Sequence, residues 1–147
     1  MKIRITLIAL FIAGCIFLAF PKSAAATPPD TLTIDVDMWV TGENSAAGTF
    51  TISGVVADSG VATETFFMAD DTSHGVKTLV SAQGTITIKY QVQLTWTPDM
   101  GIAQGRYTII NGTGAYARLH GVGTTYATLD LSTGHLLANY TGTAHFD

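Results

Sequence analysis

Few residues of this chain have types and spacing suited to chemistry, and Glu64 is the first of them. It falls in an alternating stretch, on the same strand face as Ala62, Phe66 and Met68. If that face turns inward, partial desolvation raises the carboxyl pKa and Glu64 can act as a general acid or base. If Thr63, Thr65 and Phe67 turn inward instead, Glu64 is an ordinary solvated carboxylate. Tyr90, Tyr126 and Tyr140 fall on faces read as inner, where a phenol can bond a ligand oxygen or be a core residue with its hydroxyl at the rim. Together with Glu64, Phe66 and Trp96 they form the expected lining of an internal cavity.

Other chemistries find less support. His74, His120, His135 and His145 are not at paired ligand spacing, and three of the four flank glycine in turns, so no metal site is expected. Asp35 and Asp37 project from an outer strand face, and Asp70 with Asp71 lacks the further ligands at loop spacing that calcium needs, so both pairs read as solvated carboxylates. No serine has a nucleophile-elbow context. The glycines around residue 112 are followed by neither a helix start nor a Lys-Ser/Thr pair, so they cannot cradle phosphate, and no cofactor is expected. Asn111-Gly112-Thr113 and Asn139-Tyr140-Thr141 match the N-glycosylation pattern, which a threonine-rich chain meets by chance.

The elements that must position these residues are strands. From Asp30 onward the recurring period is two: Ile86, Ile88, Tyr90, Val92, Leu94 and Trp96 alternate with polar residues, and Leu32, Ile34, Val36, Met38 and Val40 oppose Thr33, Asp35, Asp37 and Trp39. Turn signals at short spacing divide the chain into eight strands near 31–40, 47–58, 61–69, 75–83, 85–96, 106–111, 121–130 and 134–146. Eight strands joined mostly by hairpins make an all-β domain, either an antiparallel barrel or a β-sandwich. The barrel is favoured because it leaves no free edge on strands so poor in charge.

Ahead of this domain lies a different kind of sequence. Lys2 and Arg4 precede an apolar run from Ile5 to Phe20, and Ser23, Ala24, Ala25 and Ala26 close it, which is the layout of a secretory signal peptide cleaved after Ala26. The run is shorter than the ~20 residues of a membrane span. Ile12, Ala13, Gly14 and Cys15 also fit a bacterial lipobox, which would anchor the protein to the envelope through a lipid on Cys15. Simple cleavage leaves residues 27–147, with no cysteine and a net charge of −7. That balance disfavours nucleic acid and anionic lipid as partners.

The segment from Asn111 through Gly112, Thr113, Gly114, Ala115, Tyr116, Ala117, Arg118, Leu119 and His120 to Gly121, followed by Gly123, resembles the hairpin signature of the allene oxide cyclase-like and dirigent-like barrels. Gly48-Thr49-Phe50, Gly54, Asp58-Ser59-Gly60 and Gly84-Thr85-Ile86-Thr87 are similar to uncharacterised secreted bacterial members of that superfamily. The motif itself reads as structural. Gly112 and Gly114 suit positive φ, Gly121 and Gly123 suit close approach, and Tyr116 and Leu119 tuck under the barrel end. The resemblance implies an eight-stranded antiparallel barrel, often trimeric, whose cavity holds a small hydrophobic molecule and in some relatives shapes its cyclisation or coupling. Leu32 to Asp58 has neither the proline nor the cysteine of the plant cyclases, so no catalytic residue carries over.

Three functions follow from these readings. The first is an exported or envelope barrel that binds a small apolar ligand. The second is an isomerase or cyclase in which Glu64 and a tyrosine polarise the substrate. The third is a threonine-faced sandwich serving as a surface or adhesion module. A closed barrel with an apolar cavity of a few hundred Å³ would favour the first two, and Glu64 inside it would favour the second.

Overall fold

A computed structural model describes residues 29–147. The expected signal peptide, residues 1–26, and its Cys15 lie outside the described residues. Eight strands follow in order: β1 (Asp30–Gly42), β2 (Ser45–Gly54), β3 (Asp58–Ala69), β4 (Thr72–Val80), β5 (Thr85–Trp96), β6 (Met100–Gly112), β7 (Leu119–Asp130) and β8 (His135–Phe146). Each pairs antiparallel with the next, and β1 pairs with β8, so the sheet closes into a barrel rather than splitting into a sandwich.

Alternation explains the barrel's polarity. Leu32, Ile34, Val36 and Met38 point inward and are buried, while Asp35 and Asp37 between them face water. Asp35, Asp37, Lys89 and Arg106 are exposed on the outer wall, together with apolar Val61, Phe67, Val122 and Leu137. Among the described residues no helix is long and apolar enough to cross a membrane.

Four strands differ by three or more residues from the sequence expectation: β3 begins at Asp58 rather than near 61, β4 runs Thr72–Val80 rather than 75–83, and β2 and β6 differ most. β6 begins at Met100, not near 106, because Gly101 and Gly105 are strand residues rather than turn residues. A Cβ on Gly105 would fall 2.0 Å from the Gln91 carbonyl oxygen, so glycine there permits close strand approach. β2 ends at Gly54, whose φ of 105° turns the chain out before Asp58.

The connections sort the barrel into two ends. Hairpins β1–β2, β3–β4, β5–β6 and β7–β8 lie at one end, and β2–β3, β4–β5, β6–β7 and both termini of the domain at the other. At the second end Ile52, Leu79, Ile86, Ile109, Leu119 and Ala144 close the interior. The β6–β7 connection adds a short 3-10 helix, Gly114–Tyr116, stitched to the β4–β5 hairpin by Ala115 N–H to the Gln83 carbonyl (2.9 Å) and Thr85 N–H to Thr113 Oγ1 (3.1 Å). Gly114 takes a φ of 59° there, but Gly112 does not take the positive φ expected of it. Its need is for space, since a Cβ would lie 2.0 Å from the Tyr116 carbonyl oxygen. Tyr116 and Leu119 are buried under this end as expected, and the Tyr116 hydroxyl donates to Asp58. Gly121 packs against Ile109 and Ala144, which a side chain there would crowd. The motif therefore builds a lid.

Candidate functional site

The other end is open. A cavity of about 90 Å³ enters between Phe66, Val92, Leu94, Ala103, Ala127 and Leu136. That volume falls short of the several hundred Å³ that enclose a drug-sized ligand, and it suits the end of a molecule whose remainder lies at the mouth. Val40, Met68 and Trp96 stand exposed at the rim. The turns and strand ends around them carry Glu43, Asp70, Asp71, Asp99 and Asp130 and no lysine or arginine.

The polar floor comes from β3, β4 and β5. β3 alternates inward through Ala62, Glu64 and Phe66, which places Glu64 inside the barrel and only 6 % exposed. The two-residue turn at Asp70 and Asp71 pairs Ala69 with Thr72, and counting back from it sets Glu64 directly opposite Lys77. Lys77 is wholly buried and its ammonium donates to Glu64 Oε2 at 2.6 Å. The same nitrogen lies 3.2 Å from Met38 Sδ and 5.5 Å from the centre of the Tyr140 ring. From β5 the Tyr90 hydroxyl donates to the other carboxylate oxygen, Oε1. Gly75, the β4 residue opposite Tyr90, leaves room for that phenol, since a Cβ there would fall 2.5 Å from its oxygen.

The electrostatics follow from burial. Desolvation pulls the Lys77 pKa below that of an ordinary lysine, and the Glu64 charge and hydrogen bond oppose this without cancelling it. Desolvation, reinforced by Glu64, pushes Tyr90 and Tyr140 far above an ordinary phenol, so both stay protonated donors. Behind Tyr140, Tyr107 meets it edge-on with ring centres 5.2 Å apart. The buried Tyr107 hydroxyl has no hydrogen-bond partner among the described residues.

Of the expected cavity residues, Glu64, Phe66, Tyr90 and Tyr140 come together as read from sequence. Trp96 has the inward phase but lies at the mouth, 44 % exposed, against Gly101. Tyr126 is a correction. β7 turns Leu119, Gly121, Thr125 and Ala127 inward, so Tyr126 faces outward beside Asn139 and is 46 % exposed. The volume inside β7 belongs to its neighbours' rings, because Thr125 pairs with Tyr140 and Gly123 with Tyr107.

Lys77, read from sequence only as one of the domain's charges, is the residue that reading missed. Its strand misleads, because the β-branched Val76, Thr78 and Val80 face outward and Gly75, Lys77 and Leu79 face inward. The signal that finds it is the hairpin register, which makes Lys77 the cross-strand partner of Glu64. The histidines remain apart from this site: His135 pairs with Asp37 at 2.7 Å on the outer wall, and His120 and His145 meet Asp147 near the domain's C-terminus.

Comparison of the chain with protein-family models, curated proteins and solved structures gives no match. The functional reading therefore rests on the site itself.

Proposed function

We propose that the barrel binds a small hydrophobic molecule bearing one hydrogen-bonding oxygen, whose polar end meets Glu64, Lys77 and Tyr90 while its apolar body lies along the mouth. The observation that carries this is an apolar-walled cavity, open at one end, with a buried charge pair on its floor. The ring of carboxylates at the mouth repels anions, so the ligand is neutral or cationic. Native mass spectrometry of the protein purified from its own host tests the reading. A ligand mass on the wild type that is lost in Ala127→Trp, whose indole fills the cavity, supports it, and a bare chain in both overturns it. The same spectrum reads whether the chain forms the trimer that the resemblance implies.

A second reading is favoured by the Glu64 carboxylate, buried and facing the cavity. In it the cavity is a mould for isomerisation or cyclisation, as in the allene oxide cyclase-like and dirigent-like barrels that the Asn111–Gly123 segment resembles. Under it, Glu64→Gln keeps the ligand mass but abolishes its conversion to a chromatographically distinct isomer. Conversion at the wild-type rate excludes Glu64 as acid or base.

The apolar run from Ile5 to Phe20 and the small residues before Thr27 support export of the domain, free or anchored through Cys15. The N-terminus of the protein from its host decides this. Thr27 supports cleavage, a lipid-modified Cys15 supports the anchor, and a retained Met1 contradicts both.

A further inference from the structure

We propose that the Lys77 amine forms a Schiff base with the carbonyl carbon of a neutral aldehyde or ketone that enters the open end of the barrel. The proposal rests on the cavity reading above and narrows its ligand to a carbonyl compound.

The first support is position. Of the four basic residues in the described domain, Lys89, Arg106 and Arg118 are exposed, and Lys77 alone points into the barrel and lines the cavity. Stability does not explain it there. Burying an ion pair costs several kcal/mol of desolvation per ion, and well-packed apolar side chains of similar volume usually do as well or better. The inward neighbours Ile34, Met38, Leu79 and Ile88 show that the same barrel fills such positions with apolar groups. A charge pair kept at the inner end of an apolar cavity is placed where a ligand meets it.

The second support is the chemistry of the cluster. A lysine attacks a carbonyl only as the neutral amine, and an apolar site favours that form. Lys77 has the required proton acceptor in Glu64 Oε2 at 2.6 Å. Tyr90 holds the other carboxylate oxygen and orients the group. The steps balance within these residues. The ammonium gives one proton to Glu64, and the freed lone pair forms a C–N bond to the carbonyl carbon while the C=O π pair moves to oxygen. A proton then passes from nitrogen to that oxygen, giving a neutral carbinolamine. Glu64 returns its proton to the hydroxyl, the C–O bond breaks, and water leaves. Ammonium and carbonyl have become iminium and water, with no oxidant or reductant involved, and the iminium keeps Glu64 as its counter-ion. The cavity accepts the carbonyl end of the molecule, and the rim of Val40, Met68 and Trp96 accepts its chain.

The test incubates the domain with limiting hexanal, reduces with sodium cyanoborohydride and maps the modified lysine by peptide mass spectrometry. The cavity brings the aldehyde to Lys77, whose burial favours the neutral amine, so labelling of Lys77 is expected to exceed that of exposed Lys89. Ala127→Trp should abolish the Lys77 adduct and leave Lys89 labelling unchanged, which does not depend on how well a Lys77 variant folds. Hexan-1-ol, which fits the same cavity but has no carbonyl, should protect Lys77. Adduct on Lys89 alone, while hexan-1-ol still perturbs the methyl resonances of Leu94 and Ala127, overturns the Schiff base and leaves the cavity reading standing. Adduct on Lys89 alone with no effect of hexan-1-ol overturns both.

Discussion

The two ends of this barrel solve opposite problems with the same eight strands. At one end Ile52, Leu79, Ile86, Ile109 and Leu119 meet across the interior, and the Gly114–Tyr116 turn lies over them with Tyr116 donating to Asp58. At the other, small or partly exposed residues such as Ala103, Ala127, Leu94 and Leu136 leave a cavity, and its floor is an ion pair rather than a packed apolar layer. A small barrel has just enough interior for its side chains to fill, so an unfilled end follows from the choice of residues, not from the fold. The difference separates the residues that hold the barrel closed from those that leave it open.

The largest expected effect breaks the open end's floor. Lys77→Met leaves Glu64 buried without its partner and should cost about 3–5 kcal/mol in chemical denaturation. Adding Glu64→Leu should restore most of that loss, because two apolar groups need no partner. A single variant as stable as the wild type would show that Glu64 reaches water and that the floor is not dry.

Next comes a direct contrast of the ends. Ile86→Ala, at the closed end, should cost about 2–5 kcal/mol, since the cavity it leaves cannot collapse. Leu94→Ala, at a mouth already hollow and partly exposed, should cost about 1 kcal/mol or less. Equal losses would erase the distinction. Between the ends, Tyr107→Phe removes a buried hydroxyl without a partner and should gain about 1 kcal/mol by thermal unfolding.

The smallest effects are those of pH on the lid. The Asp58 pKa is held below 3.8 by hydrogen bonds from Ser81 and Tyr116. On acidification the unfolded chain takes up this proton first, so the pair's contribution is present above 3.8 and lost as pH falls through the lowered value. Desolvation and then Asp58 push Tyr116 from 10.0 up to about 12. The unfolded chain releases that proton first, so stability falls as pH rises between those values. Asp58→Asn should flatten the acid limb of a melting-temperature profile. An unchanged limb would place the acid sensitivity elsewhere than at Asp58.

What sequence could and could not reveal follows the same division. The strand count, the inward face of β1 and β5 and the structural role of the Gly112–Gly121 segment were legible, because a dry interior imposes strict alternation on long apolar side chains. The strands lining the open end were harder. There the inner face holds glycine, alanine, threonine and charge, so inward residues no longer look apolar. Hence Tyr126 was expected inside but faces out, and Val76 and Val80 lie outside while Lys77 lies within. Glu64 was legible as a choice between two faces, its register puts Lys77 on the same face, and the burial of both shows that face to be the inner one.

The central claim is that one end of the barrel is hollow and apolar-walled above a buried polar floor, and the other is packed. Methyl NMR under xenon pressure tests it most directly, because xenon enters dry apolar cavities without needing a polar partner. The resonances of Val92, Leu94, Ala103, Ala127 and Leu136 should shift with xenon and saturate, while those of Leu79, Ile86 and Leu119 stay fixed. No shift at either end, or shifts largest at Leu79, Ile86 and Leu119, would contradict the account.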